Sequence, residues 1–378
     1  MTLREQMLAP IHGRLPDCVP CAPWMAIEFP AEVLGIPLGD LCGALARVPI
    51  WKATLEASSR FGVVSDILSS LCIGGGEYIP LRDAPQNGST RVRQEVYRQT
   101  PEKRWVRITV TTPEGDCVEE RICPVDGVDA GISPLIKEPA AEYSKIKYLL
   151  TDPKEFDWTE HTAVQKEVGE SGIVRLGFDT PFTRWIILRG PAGYTDIYDY
   201  PEIMSRFCDA YTGYVLDYIQ EAERVNPDVY WVHGVYDGMV GAQTLERYVY
   251  PFIREIRKHT KRPLVRFISG KVARLLELEA ATGIDVLEVL EPPPTGDVDL
   301  SAAKSLIGEK VCLKGNLDPV NVLERGTIEQ IKDQVRWCLE AAAKGGRYIF
   351  STADEVTPLT TADKISALVA WVEELGGY

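Results

Sequence analysis

The sequence predicts an α/β protein, a (β/α)8 TIM-type barrel with an inserted antiparallel β-hairpin, on three observations. Two short apolar runs end abruptly in polar, turn-forming residues: Leu313-Lys314-Gly315-Asn316-Leu317-Asp318-Pro319 and Tyr348-Ile349-Phe350-Ser351-Thr352-Ala353-Asp354-Glu355-Val356-Thr357-Pro358. A barrel strand delivers side chains to an active-site rim in this way. From about residue 171 onward, strand-like runs alternate with helical runs at the spacing of repeated parallel βα units. Residues 92 to 125 instead alternate polar and apolar positions around Thr112-Pro113-Glu114-Gly115, the pattern of an antiparallel hairpin.

In chain order, Val19 to Trp24 and Phe61 to Val64 are the expected first two barrel strands, and the hairpin follows as an insertion. Residues 126 to 165 read as a connector with short helices, punctuated by Pro134, Pro139 and Pro153. The remaining strands are expected at Ile173 to Phe178, Val229 to Val235, Leu264 to Ile268, Val286 to Leu290, Val311 to Leu313 and Tyr348 to Phe350. Between them, Ile203, Phe207, Tyr211, Val215, Tyr218 and Ile219 form one apolar helical stripe, and Ile328, Ile331, Val335, Cys338 and Leu339 another. The last helix, with Ile365, Leu368, Trp371, Val372 and Leu375, stops at Gly376-Gly377. One domain over residues 1 to 378 is expected.

A chain of 378 residues with 45% hydrophobic content can bury roughly three quarters of its unfolded surface. It has no run of eighteen apolar residues, and Met1-Thr2-Leu3-Arg4-Glu5 lacks the basic-then-apolar order of an export signal, so a soluble cytoplasmic protein is expected. Nine scattered cysteines, odd in number and mostly in apolar surroundings, argue against a disulfide framework. The net charge of −14 repels nucleic-acid phosphates and anionic lipid, which leaves small molecules and proteins as partners.

Carboxylates dominate the candidate site residues. Asp237 follows a strand directly and serves either as a rim acid or as the cap of the next turn. His233, of the same parity, points into the barrel below it as a hydrogen-bonded core histidine. Glu288 and Glu291 flank the end of an apolar strand, where burial demands pairing or protonation; Arg266 is the expected partner of Glu288. Lys314 and Asn316 offer a cation and an amide at another strand end, although Asn316 can equally shape the turn. Asp354, at the last strand's end, is a candidate acid or a helix-preceding turn residue. Trp24, Trp185 and Tyr236 are pocket candidates, with ordinary packing as the alternative. Cys18-Val19-Pro20-Cys21 has redox spacing but no helix N-terminus to lower a thiol pKa.

Gly177-Phe178-Asp179-Thr180-Pro181-Phe182-Thr183, Asp237-Gly238-Met239-Val240-Gly241, Tyr250-Pro251-Phe252 and Gly315-Asn316-Leu317-Asp318-Pro319, in this order, resemble the uroporphyrinogen decarboxylase superfamily, which also contains cobalamin-dependent methyltransferases. In the decarboxylases, the resemblance implies, an arginine-rich motif after the first strand holds a polycarboxylate. Here that stretch is Met25-Ala26-Ile27-Glu28-Phe29-Pro30, no Lys or Arg lies between Arg14 and Arg47, and Asp17, Glu28, Glu32 and Asp40 occupy the region. Gly238 stands where the family has serine, Asp354 where it has histidine, and no tyrosine lies between Pro181 and Pro191; Asp66 matches the family's pyrrole-binding aspartate. The thiol-methylating branch implies zinc on a His-x-Cys pair and a rim cysteine, which align with Phe267, Ser269 and Asp354, so zinc is disfavoured and any other metal site is left unassigned.

The resemblance therefore implies the methyltransferase component of a corrinoid-dependent demethylation system. It would move a methyl group from a small O-, N- or S-methyl donor to the cobalt of a corrinoid (cobalamin) carried by a partner protein. Asp354, Asp237 and Glu288 are the expected leaving-group acids or donor-positioning groups, and Asp66, Trp24, Trp185, Tyr236, Glu291, Lys314 and Asn316 the expected substrate-binding set. A decarboxylase-like lyase retaining Asp66 for proton handling, and a non-catalytic tetrapyrrole- or metabolite-binding protein, are the alternatives. A homodimer is left open.

Overall fold

The structure, a computed structural model, describes residues 1–73 and 90–378. Seven parallel strands form one sheet in the order β1 (Ser65–Leu68), β6 (Gly172–Asp179), β7 (Val229–His233), β8 (Leu264–Ile268), β9 (Val286–Val289), β10 (Cys312–Leu317) and β11 (Tyr348–Thr352). Backbone hydrogen bonds from Phe350 to Pro20, from Ala22 to Phe350 and from Val64 to Cys21 carry the 20–22 segment between the last strand and the entry to the first. The sheet is thereby curled, with its two edges linked.

Two expected strands take other forms. Residues 19 to 24 make a single isolated bridge, Cys21 with Phe350, with a second just before them, Cys18 with Gly377, because Pro20 and Pro23 have no N–H to give a ladder. Phe61 is the last residue of the helix Ile50–Phe61, which Gly62 ends at φ 68°, so the strand begins later, at Ser65.

The insertion is a four-stranded antiparallel sheet rather than a two-stranded hairpin: β2 (Arg91–Gln99), β3 (Lys103–Thr112), β4 (Gly115–Pro124) and β5 (Ala130–Ser133), paired in that order. The β3–β4 turn lies at the Thr112–Gly115 tetrapeptide, where Gly115 takes φ 106° and its carbonyl accepts from the Thr112 hydroxyl at 2.7 Å. Val106 and Ile108 pack with Ala44 and Cys123, anchoring one face of this sheet to the 41–46 segment.

Strand alternation sorts the main sheet into two faces. Leu176, Phe178, Tyr230, Val232, Leu264, Leu287, Leu313 and Phe350 pack against the helices, including Pro201–Ala222, Ile328–Ala342 and Ala362–Leu375. Ile173, Val229, Trp231, Val265, Phe267, Val286, Cys312 and Ile349 point inward and pack with Met7 and Ile11 of the N-terminal helix Leu3–Ile11. That helix starts at a capping box of Thr2 and Glu5. The enclosed floor is therefore apolar, and polar inward residues lie above it. Among the described residues no helix is long and apolar enough to cross a membrane.

Candidate functional site

Directly above the apolar floor, Asp66, Arg175, Glu288 and Lys314 converge from β1, β6, β9 and β10. The register pairs Leu68 with Arg175 and Lys314 with Glu288, so side chains distant in sequence meet at one level. Arg175 Nη1 lies 2.9 and 3.0 Å from the Glu288 oxygens, while its Nε and Nη2 donate to Asp66. Lys314 Nζ bridges Asp66 Oδ2 at 2.8 Å and Glu288 Oε2 at 3.1 Å. Trp231 Nε1 adds a donor to Glu288 Oε1.

Two cations and two carboxylates are thus buried together with their charges balanced, which is the condition for ions to lie out of water. Burial works to raise Glu288, but Arg175 and Lys314 outweigh it and hold this carboxyl below its usual range. Burial, reinforced by the Arg175 cation, pulls the Lys314 ammonium down to about 8. Arg175 was not among the residues singled out from the sequence. Its signal was there: a single charge within the otherwise apolar run Ile173 to Phe178 requires a buried partner.

Trp24 lies over this cluster, 5.8 Å from the Arg175 guanidinium and 5.5 Å from Lys314 Nζ. Its edge contacts Trp231 and Phe267 at centroid distances of 5.8 and 4.9 Å. Trp24, Met25, Thr54, Asp66, Arg175 and Lys314 line a narrow pocket with about 20 Å³ of free space, room for roughly one water. At the carboxyl ends of β6 and β7, His233 Nδ1 meets Asp179 Oδ1 at 2.7 Å, and Arg184 Nη2 meets Asp179 Oδ2 at 2.8 Å. The His233 ring stands between Trp231 and Phe267, at 4.5 and 5.2 Å.

At the end of β11 the electrostatics are one-sided. Asp354 is pushed up to about 6, chiefly by burial, against the pull of the Glu355 N–H at 2.8 Å and with Glu291, Glu28 and Glu288 adding to the rise. Burial pushes Glu355 up to about 8, although it accepts from the Ile27 and Glu28 N–H groups that open the helix Glu28–Leu34. Glu291 Oε1 accepts from Gly270 N at 3.0 Å. Asp354 therefore combines a rim position with a proton held to an unusually high pH.

Other candidates stand in tightly bonded structural settings. Asp237 Oδ1 accepts from the Thr180 and Thr183 hydroxyls at 2.9 and 3.0 Å, and Oδ2 accepts from Arg266 at 2.7 Å. Arg266 also pairs with Glu279 at 3.1 Å, so it lies on the helix side of β8 and is not the partner of Glu288. Inward and outward alternation decides this: Phe267 faces the interior and Arg266 cannot. Gly238 leaves no room for a side chain, since a Cβ there would sit 1.9 Å from the Ser269 carbonyl oxygen. Asn316 donates to the Leu290 carbonyl at 3.1 Å, tying β10 to the end of β9. Trp185 is fully buried beneath the outer helices, donating to Asp196 at 2.8 Å, away from the pocket lining. Tyr236 meets Tyr194 edge-on at 6.4 Å near the β7 exit.

Zinc does not fit the aligned positions. Phe267 supplies no ligand atom, and the Ser269 hydroxyl donates to the Val235 carbonyl at 3.1 Å. Among the described residues no group of three or more His, Cys, Asp or Glu side chains is placed to hold a metal ion.

Residues 177–375 match the profile of the family described as uroporphyrinogen decarboxylase (URO-D). The uroporphyrinogen decarboxylase of Dichelobacter nodosus is 25% identical over 181 residues, covering 46% of this chain and 49% of the relative. That of Thermosynechococcus vestitus is 24% identical, covering 48% and 52%. That of Herminiimonas arsenicoxydans is 24% identical, covering 64% and 69%. The chain spans about half the length of the first two of these curated relatives. A methyltransferase from Methanosarcina mazei superposes with a TM-score of 0.66 at 16% identity, covering 99% of both chains, a likeness of fold.

Proposed function

Because the chain belongs to the uroporphyrinogen decarboxylase (URO-D) family, we propose that it uses that scaffold as a methyltransferase, moving a methyl group from a small methylated donor to a corrinoid protein. The observation that carries this reading is the neutralised quartet. Among the described residues the cations lining the pocket are Arg175 and Lys314, and both are already bound to Asp66 and Glu288, with no charge to spare for a polycarboxylate. A small neutral or cationic donor meets no such barrier; the space among these residues holds only about one water, so the donor would stand at its mouth, beside the Trp24 side chain that lines it.

The cobalt of the partner's corrinoid would supply the nucleophile for the methyl carbon. This chain's residues would then orient the donor and manage its leaving group. Asp354, protonated up to about pH 6, is the group we assign to deliver a proton to the departing oxygen, nitrogen or sulfur. Exclusion of water by a bound donor raises it further. Glu288, Lys314 and Asp66 hold the pocket floor rigid, and Trp24 positions the donor.

The same reading takes the sheet to be a closed (β/α)8-type barrel, with the 20–22 segment as the remaining stave, in one domain of residues 1 to 378. It also places the protein in the cytoplasm, in keeping with described cysteines that are all free thiols. A lyase based on Asp66 has less support, because that carboxylate is held by both cations.

The test mixes the protein with reduced corrinoid protein and a panel of methoxyarenes and methylamines. Appearance of the methylcobalamin spectrum with one donor is expected. Silence across the panel, or carbon dioxide release without corrinoid, overturns the assignment.

A further inference from the structure

We propose that the antiparallel sheet is a docking surface for an extended acidic segment of a partner protein, which adds as a strand to the outer edge of β2. This rests on a different part of the molecule from the functional reading above and stands or falls separately. In a chain of net charge −14, residues 91 to 107 hold Arg91, Arg93, Arg98, Lys103, Arg104 and Arg107 against only Glu95 and Glu102. This is a local reversal of sign on an otherwise acidic protein.

β2 is the edge of its sheet, and among the described residues no strand pairs with its outer side. Every residue from Glu95 to Gln99 is exposed, including Val96 and Tyr97. An open edge gives main-chain hydrogen bonds to an incoming strand, and alternate side chains set which strand is accepted. The cations here are held in place rather than loose. The Arg98 guanidinium sits 4.2 Å over the Trp105 ring, Lys103 Nζ 5.1 Å from the same ring, and Arg107 4.7 Å over Tyr97. Among the described residues Arg91, Arg98, Lys103 and Arg104 make no salt bridge.

Charge selects the occupant. A second copy of β2 would bring one cationic edge against another, whereas a strand carrying Asp or Glu at alternate positions meets Arg91 and Arg98 with opposite sign and competes with Glu95, 3.5 Å away in an exposed pair, for Arg93. Exposed Val96 and Tyr97 supply apolar contacts for the intervening side chains of that strand.

The test titrates the full chain with a fluorescent peptide of alternating Glu and Val. A matched Lys and Val peptide and a single-stranded RNA oligomer serve as controls, and size-exclusion chromatography is run in parallel. Saturable binding of the acidic peptide alone is expected, weakening as salt is raised. The Arg91→Glu/Arg93→Glu variant, altered only at exposed side chains, is expected to keep its unfolding midpoint while losing roughly tenfold or more in affinity. Absence of saturation by the acidic peptide overturns the proposal. So does equal or tighter binding of the RNA, or a wild-type dimer that the double variant dissociates.

Discussion

Lys314 Nζ lies 2.8 Å from Asp66 Oδ2 although 248 residues separate them in the chain. The contact ties β1 to β10 across the interior of the curled sheet, and Arg175 and Glu288 close the same ring of charge. Position at the pocket and position in the core coincide here, so each substitution must be read for stability as well as for chemistry.

Lys314→Met leaves two buried carboxylates sharing Arg175 alone. A loss of about 3–5 kcal/mol is expected, the cost of breaking a buried pair from one side. Urea unfolding measures it. Lys314→Met combined with Glu288→Gln is expected to recover part of that loss, because the surviving charges again balance. A single variant as stable as the parent would mean that the quartet is already opened to water.

Glu355 gives stability a pH dependence of known sign. Its carboxyl is raised from 4.5 to about 8 in the folded protein, so the folded state holds this proton more tightly than the unfolded chain does. The contribution is complete below about pH 4.5 and is lost as pH rises through about 8. Glu355→Gln keeps an acceptor for the Ile27 and Glu28 N–H groups and removes the titration. The variant is expected to match the parent near pH 5 more closely than at pH 8, where it should be the more stable. Unfolding midpoints at the two pH values, with an unchanging gap as the adverse result, decide it.

Asp237→Asn separates structure from chemistry. Arg266 keeps Glu279, and the two threonine hydroxyls keep an acceptor, but a fully buried charge pair is lost. A stability loss on the order of 3 kcal/mol is expected, with methyl transfer per folded molecule unchanged. A large fall in turnover at an unchanged unfolding midpoint would return Asp237 to the reacting groups.

Asp354→Asn, by contrast, is expected to lower donor turnover by roughly 10²–10⁴, the usual worth of a positioned acid, with little change in folding. In the parent, turnover should decline as pH rises above about 6, where Asp354 gives up its proton. The variant's pH profile should be flat. A variant that retains both the rate and the slope would assign the proton to another group.

Much of the fold is legible in the residues because period and punctuation are local properties. β8 begins at Leu264 and ends at Ile268, and the helices Ile328–Ala342 and Ala362–Leu375 cover their apolar stripes. The misplacements have local causes too. Pro20 and Pro23 removed a strand that hydrophobicity alone supported, and Gly62 delayed the next one. The insertion gained two strands because β2 and β5 gain their partners only through β3 and β4.

The site was less legible, since pairing depends on register and not on spacing. Asp354 and Glu288 are evident as carboxylates at strand ends, and Lys314 as a cation beside them. Whether Arg266 or Arg175 answers Glu288 depends on which face each presents, and each lies in a strand buried on both sides. Burial on both faces erases the alternation that would reveal direction.

The amino-acid sequence by itself determined the class of the fold, the family and the acidic character of the chain, because these follow from composition, period and motif order. The tertiary structure decided which charges neutralise one another. Coulomb energy depends on distances of a few ångströms, and those are set when residues as far apart as Asp66 and Lys314 are brought to the same level of one curled sheet.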